Sequence, residues 1–286
     1  MVEASVIERL LKRDRTITLL GVAVLAILAW LYLLAGAGLG MSAWRMTTLA
    51  LFPHEQAAHW TMPDMPEMDV AGMATGSKPW EPATWALMIA MWWVMMIAMM
   101  APGATPAILL FARVHHEARA SGRIEADRAP TGAFAAGYLS VWLAFAVAAT
   151  ALHRALEHAG LITAALMGSQ SRWLSGSVLI AAGVYQLSPM KQACLAHCRA
   201  PATFLARHWR PGSSGAFRLG VRHGAYCVGC CWFLMALLFV GGVMNVVWIA
   251  ALATLVLLEK AWRRGRWTRH GAGIVLIAWG LASLLV

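Results

Sequence analysis

Trp85-Ala86-Leu87-Met88-Ile89-Ala90-Met91-Trp92-Trp93-Val94-Met95-Met96-Ile97-Ala98-Met99-Met100-Ala101-Pro102 carries no charged residue. A helix crossing about 30 Å of hydrocarbon needs roughly 20 mostly apolar residues, and this run supplies them. Its surroundings extend it to 83–112, where Pro102 and Pro106 predict a tilt or a kink near one end. Six further segments have the same character: 16–38, 131–153, 171–189, 219–241, 243–260 and 270–286, the last of them short. Hydrophobic residues make up 60% of the 286, and charged residues only 13%. The mean hydropathy is +0.64. Together these predict an all-α fold, a polytopic membrane helical bundle of about seven transmembrane helices. The chain divides into a cytoplasmic amphipathic segment (1–15), a first transmembrane helix (16–38), a Met-rich outer loop (39–82) and a six-helix membrane core (83–286). In the first segment Ser5 and Glu8 have capping-box spacing, and Val6, Ile7, Leu10 and Leu11 form one stripe. The run at 16–38 lacks a small-residue cleavage site and reads as a retained anchor.

Charge sets the expected orientation. With the N-terminus inside, 19 of the 23 Lys and Arg fall in inner segments, and Arg45, Lys78, Arg154 and Arg172 fall outside. That asymmetry predicts an N-in, C-out topology under the positive-inside rule. It also accounts for the net charge of +10 through basic loops facing anionic lipid, with no nucleic acid as partner. The expected location is the bacterial inner (cytoplasmic) membrane, multi-pass.

All five cysteines lie in two motifs, Cys194-Leu195-Ala196-His197-Cys198 and His223-Gly224-Ala225-Tyr226-Cys227-Val228-Gly229-Cys230-Cys231. At helical pitch, Cys194, His197 and Cys198 share a face, as do His223, Cys227, Cys230 and Cys231. Both motifs fall near the inner ends of adjacent spans. A reducing compartment there disfavours structural disulfides and favours metal or redox chemistry. Soft thiolates select Cu(I), zinc or iron; Cys194, Cys198 and His197 facing Cys227 and Cys230 have the donor types of a tetrahedral zinc site.

Methionine provides a second soft-ligand pattern. Met62, Met65 and Met68 recur every third residue beside Asp64, Glu67 and Asp69 in the outer loop, with His54 and His59 upstream and Met73 beyond. Pro63 and Pro66 favour an extended path that puts these thioethers on one side. Met88, Met91, Met95 and Met99 then share one helical face, with Met96 and Met100 beside it. Packing alone accounts for such a stripe, because Met fills irregular gaps. Its continuity with the outer cluster supports a metal path equally well.

Elsewhere the chain is less informative. The third span shows no chemistry, and His153 and His158 near its end read as interfacial. Gln186 and Ser188 are placed to bond across helices. Glu259 reads as a carboxylate near enough to the interface to be solvated, salt-bridged to a nearby Arg. Asn245 after Gly241-Gly242 reads as a turn residue. There is no P-loop, dinucleotide fingerprint or hydrolase elbow.

The segments Met91 to Pro102, Tyr185-Gln186 through Cys198-Arg199, Gly220-Val221-Arg222-His223-Gly224 through Cys231-Trp232, and Glu259-Lys260 resemble an uncharacterised bacterial family described as predicted metal-binding integral membrane proteins. The likeness covers roughly residues 80–286 and implies metal handling without an assigned activity. The Met-rich loop lies outside it.

The reading that combines these features is a metal-binding membrane protein, with copper ahead of zinc or iron. It would move metal from Met62, Met65 and Met68 along Met88, Met91, Met95 and Met99 to the Cys/His cluster. The implied partners are the lipid bilayer, the metal ion and a membrane or soluble metal carrier. The competing reading is a membrane thiol oxidoreductase, or a metal-containing subunit of a redox complex, built on Cys227-x-x-Cys230. A third takes the cysteines as small packing residues. On balance the residues favour a binding role over an enzymatic one.

Overall fold

The computed structural model describes residues 2–40, 42–47, 49, 51–52, 79–122, 130–164, 166–261 and 266–286, with the backbone alone for 2–15 and 266. They form ten helices: α1 (Val2–Leu34), α2 (Pro82–Ala120), α3 (Pro130–His158), α4 (Arg172–Leu187), α5 (Pro189–Arg199), α6 (Pro201–His208), α7 (Gly212–Ala236), α8 (Leu238–Gly241), α9 (Val246–Ala261) and α10 (Arg266–Leu285). Among the described residues, the one β feature is an isolated antiparallel bridge between Ile162 and Ser169. The all-α expectation is met.

Among the described residues, five helical stretches are long and apolar enough to cross a membrane: Thr16–Leu34, Pro82–Ala120, Pro130–His158, Gly212–Gly241 and Trp267–Leu285. The remaining two expected spans correspond to α4 and α9, of 16 residues each. At 1.5 Å per residue each is about 24 Å long, short of a typical hydrocarbon core. Local sequence sets these lengths. Ser188-Pro189 ends α4 and starts α5, with the Ser188 hydroxyl accepting from the Lys191 amide at 3.2 Å and Pro189 at the first helical position. Asn245 caps the start of α9, its Oδ1 accepting from the Trp248 amide at 3.1 Å.

Helix α1 is continuous from Val2 to Leu34 and ends before the expected residue 38. Gly36, Ala37 and Gly38 all take positive φ there, and the Tyr32 hydroxyl donates to the Ala37 carbonyl at 2.9 Å. Ile17, Leu20, Val24, Ile27, Leu28 and Leu31 on α1 are exposed. An apolar face of that extent is a liability in water, whereas hydrocarbon solvates it and leaves the helix backbone satisfied internally.

Helix α2 is central, packing against α1, α3, α6 and α9. It runs unbroken through Pro102 and Pro106. Near the prolines, the Met100 carbonyl accepts from Tyr138 at 3.3 Å and the Ala101 carbonyl from Thr105 at 3.1 Å. All six methionines between Met88 and Met100 are buried inside the protein.

Two pairs of helices close on glycine. A Cβ built on Gly220 of α7 would collide with the Phe134 carbonyl of α3, and one on Gly137 of α3 would collide with the Phe217 carbonyl of α7. Helices α4 and α10 repeat the device: a Cβ on Gly183 would lie 2.7 Å from the Gly273 carbonyl, and one on Gly280 would lie 2.9 Å from the Gly176 carbonyl. Small residues that admit backbone-to-backbone approach are the usual glue between helices in lipid, where the hydrophobic effect drives no association. Gly220→Leu is therefore expected to cost about 3 kcal/mol or more, beyond the usual range for overpacking because the obstacle is backbone. Thermal unfolding of the detergent-solubilised protein checks it; an unchanged midpoint would contradict the packing described.

Candidate metal centre

Helix α7 supplies Cys227, Cys230 and Cys231, all buried. Helix α5 packs against α7 and supplies Cys194 and Cys198, half-buried. All five cysteines are free thiols. Cys230 and Cys231 each donate to the Cys227 carbonyl at 3.0 Å, the i to i−3 and i to i−4 contacts that helical spacing allows. Cys198 reaches across from α5; hydrogen bonds with Cys227 and Cys230, then burial, hold its thiol well above the usual range. Cys194 is also pushed up, first by burial and then by Cys230. Both α5 thiols therefore stay protonated at neutral pH until something displaces the proton. Gly229 makes room for Cys194, whose Sγ lies 2.9 Å from where a Cβ at that glycine would stand.

Cys227 is the best-connected thiol. Lys260 Nζ of α9 donates to its Sγ at 3.0 Å, and the Tyr138 hydroxyl of α3 lies 3.2 Å away. Lys260 reaches this position beside Gly103, where a Cβ would stand 3.2 Å from the ammonium nitrogen. An ammonium and a phenol at one sulfur supply counter-charge and a donor to a thiolate. On the other side, Cys231 Sγ lies 3.9 Å from Met100 Sδ of α2. The methionine stripe thus ends on the thiols through Met100, one of the two placed beside the expected face, rather than through Met99.

Next to this cluster lies a buried ion pair. Lys191 of α5 meets Glu259 of α9 at 2.7 Å, both side chains essentially inaccessible. Gln186 completes the group: its Nε2 donates to Glu259 at 2.7 Å and its Oε1 accepts from Lys191. Arg199 Nε donates to the Glu259 backbone carbonyl at 2.7 Å. The expected solvated Arg–Glu259 bridge is thus replaced by a dry Lys–Glu pair. The Ser188-Pro189 turn folds α5 back onto α9 and brings Lys191 to the carboxylate, so the arginine takes the main chain. The expected cross-helix bond of Gln186 is present, whereas Ser188 caps α5.

The two candidate histidines both pack against aromatic rings. His197 stacks on Tyr226 at 4.0 Å between ring centroids, with Nδ1 against the Ala193 carbonyl at 2.9 Å. His223 is buried among Phe134, Tyr138 and Phe204, and its Nδ1 meets no hydrogen-bonding partner among the described residues. Among the described residues, no three His, Cys, Asp or Glu side chains are set to hold a metal ion together. Met88, Met91, Met95 and Met99 line α2 in the core. Met62, Met65, Met68, Met73, His54 and His59 lie outside the described residues. Tyr138 and Lys260 are the site residues that sequence reasoning missed; a lone tyrosine in an apolar span, and a lysine beside a buried glutamate, were the available signals.

Helices able to cross a membrane, packed around thiols and a line of thioethers, define an all-α protein with a soft-donor core, the chemistry that selects Cu(I) over harder cations. The family model described as PpoB2, copper chaperone, matches residues 89–283, well over half of the chain, and the chain belongs to that family. The matched segment contains Met91, Met95, Met99 and all five cysteines. No match is found among curated proteins or among solved structures. Family membership supports metal binding and copper as the metal.

Proposed function

We propose that this protein is a membrane-embedded Cu(I) carrier that collects the ion at its outer face and delivers it to Cys194, Cys198, Cys227, Cys230 and Cys231 near the inner face. In this reading the chain spans the inner membrane seven times, N-in and C-out, with α4 and α9 as short spans packed inside the bundle. Met62, Met65 and Met68 gather the ion. Met88, Met91, Met95 and Met99 conduct it over about 18 Å of α2, at 1.5 Å per residue from Met88 to Met100. Donors grow stronger from thioether to thiolate, which gives direction without a nucleotide. A membrane or soluble carrier removes the ion at the inner end.

The observation that carries this reading is the contact of Cys231 with Met100, which joins the methionine-bearing α2 to the thiols of α7. His197 and His223 act beside the thiols, as ring packing or as late ligands once a thiol moves.

The test is anaerobic Cu(I) titration of the purified full chain against a chromophoric chelator, with a variant in which all five cysteines are serine. The native protein is expected to take Cu(I) from the chelator, and the serine variant to lose its tightest binding. Equal retention by both would reject the thiols as the destination, and retention by neither would reject the copper reading itself.

A further inference from the structure

His153 lies at the end of the α2–α3 seam opposite the thiols. It is buried, with 1% of its surface exposed, and does not sit at an interface. Trp80, Trp92 and Phe239 surround it, with ring centroids at 5.8, 6.5 and 5.9 Å. Among the described residues its Nδ1 meets no hydrogen-bonding partner. Thr150 Oγ1, one turn away on the same face of α3, and Trp92 Nε1 on α2 are likewise buried and without a partner among the described residues.

Buried polar atoms are ordinarily paired, and each exception calls for a reason. Three exceptions in one place, beside a line of thioethers, share a reason if the place receives a guest. The chemistry of the walls narrows the guest. A ring nitrogen with no competing bond is a good ligand for copper. Tryptophan faces attract a cation, most strongly when it has shed its water. The rings around His153 are uncharged, which suits a monovalent ion better than a divalent one, and the nearest acid along α3, Glu157, is taken up by Arg154 at 3.3 Å. The adjacent positive charge of Arg154 is met by Glu157 at 3.3 Å and by the Trp80 ring.

Position supports the same conclusion. Trp92 places His153 beside the outer half of the methionine stripe. Tyr138, fifteen residues earlier on α3 and so about 22 Å away along the helix, touches both Met100 and Cys227 at the other end. One face of α3 therefore marks both ends of the line.

We propose that His153 is an imidazole station for Cu(I), held in a cage of Trp80, Trp92 and Phe239 at the entrance to the methionine stripe. This rests on the copper reading above, and the experiment separates the two. Ag(I), a diamagnetic soft monovalent probe, is titrated into detergent-solubilised full chain labelled with ¹⁵N at histidine. The expected result is a shift of one ring-nitrogen signal that is missing in His153→Phe, and a fall of one bound Ag(I) in that variant. The shift should persist when all five cysteines are serine, because the station is distinct from the thiols. Phenylalanine fits an aromatic cage, and unchanged Ag(I) uptake at the thiols shows that the variant has folded. His153→Met should keep the Ag(I) count and lose the nitrogen shift. A His153 signal unmoved by Ag(I), or an unchanged count in His153→Phe, would overturn the station and leave the thiol destination standing. Loss of thiol uptake in the native chain with the His153 shift retained would instead fault the delivery reading.

Discussion

Glu259→Ala is expected to destabilise the fold by about 3–5 kcal/mol, the usual cost of removing one partner of a buried ion pair. The magnitude follows from what remains. Lys191 is left with its side chain at 0% exposure and no carboxylate opposite, and Gln186 is a neutral neighbour that cannot replace that carboxylate. The Arg199 bond survives, because it goes to the main-chain carbonyl of residue 259 and not to the side chain. The companion test is Lys191→Met combined with Glu259→Leu. Removing both charges together is expected to recover most of the loss, because a well-packed apolar pair commonly equals a buried ionic one. Thermal or denaturant unfolding in a fixed detergent measures both. If the single and double variants were equally unstable, the pair would owe its importance to shape rather than charge.

The second large effect is on metal retention. Cys227→Ser is expected to weaken Cu(I) binding by more than a hundredfold, and Cys194→Ser by much less. Cys227 is the thiol that faces Lys260, Tyr138, Cys198 and Cys230 together. Cys194 is half-buried and meets Gly229 at the edge of the cluster. Tyr138→Phe and Lys260→Met should fall between, each costing about 10–100-fold, as loss of an outer-shell partner typically does. Competition against a chelator of known affinity ranks the four variants. Equal losses for Cys194 and Cys227 would mean that the ion rests between α5 and α7, away from Lys260.

Much of this architecture was legible because its causes are local. The charge-free run through Trp92 and Met100 gave a helix, and the Met spacing gave a single stripe, since both depend on pitch alone. The fourth span was expected to end at residue 189, and α4 ends at Leu187, two residues earlier. What was missed depends on which helices touch. Tyr138 was read as inert because nothing near it in sequence carries chemistry, yet the glycine seam of α3 with α7 places its hydroxyl on Cys227. Lys260 was counted among the loop cations that set topology; Gly103, far away on α2, admits it to the core. His153 was read as interfacial from its distance along α3, and Trp80 and Phe239 cover it from outside that helix. His197 shows what pitch leaves open: it places the residue on the face of Cys194 and Cys198, but which ring of α7 it meets, that of Tyr226, depends on how the two helices pack.

The glycine contacts of α3 with α7 also set a tolerance. Where side chains interdigitate, one helix can creep past another by repacking rotamers. Where carbonyl oxygens stand in the place of Cβ atoms, the pair has a single register, and sliding in either direction meets main chain. The spacing from Tyr138 to Cys227 is then a property of the backbone. Lipid thickness, headgroup charge and the identity of outward-facing residues can all change while that distance holds. A protein whose soft donors are gauged in this way can be moved between membranes, or rebuilt on its lipid-facing surface, without recalibrating the chemistry inside.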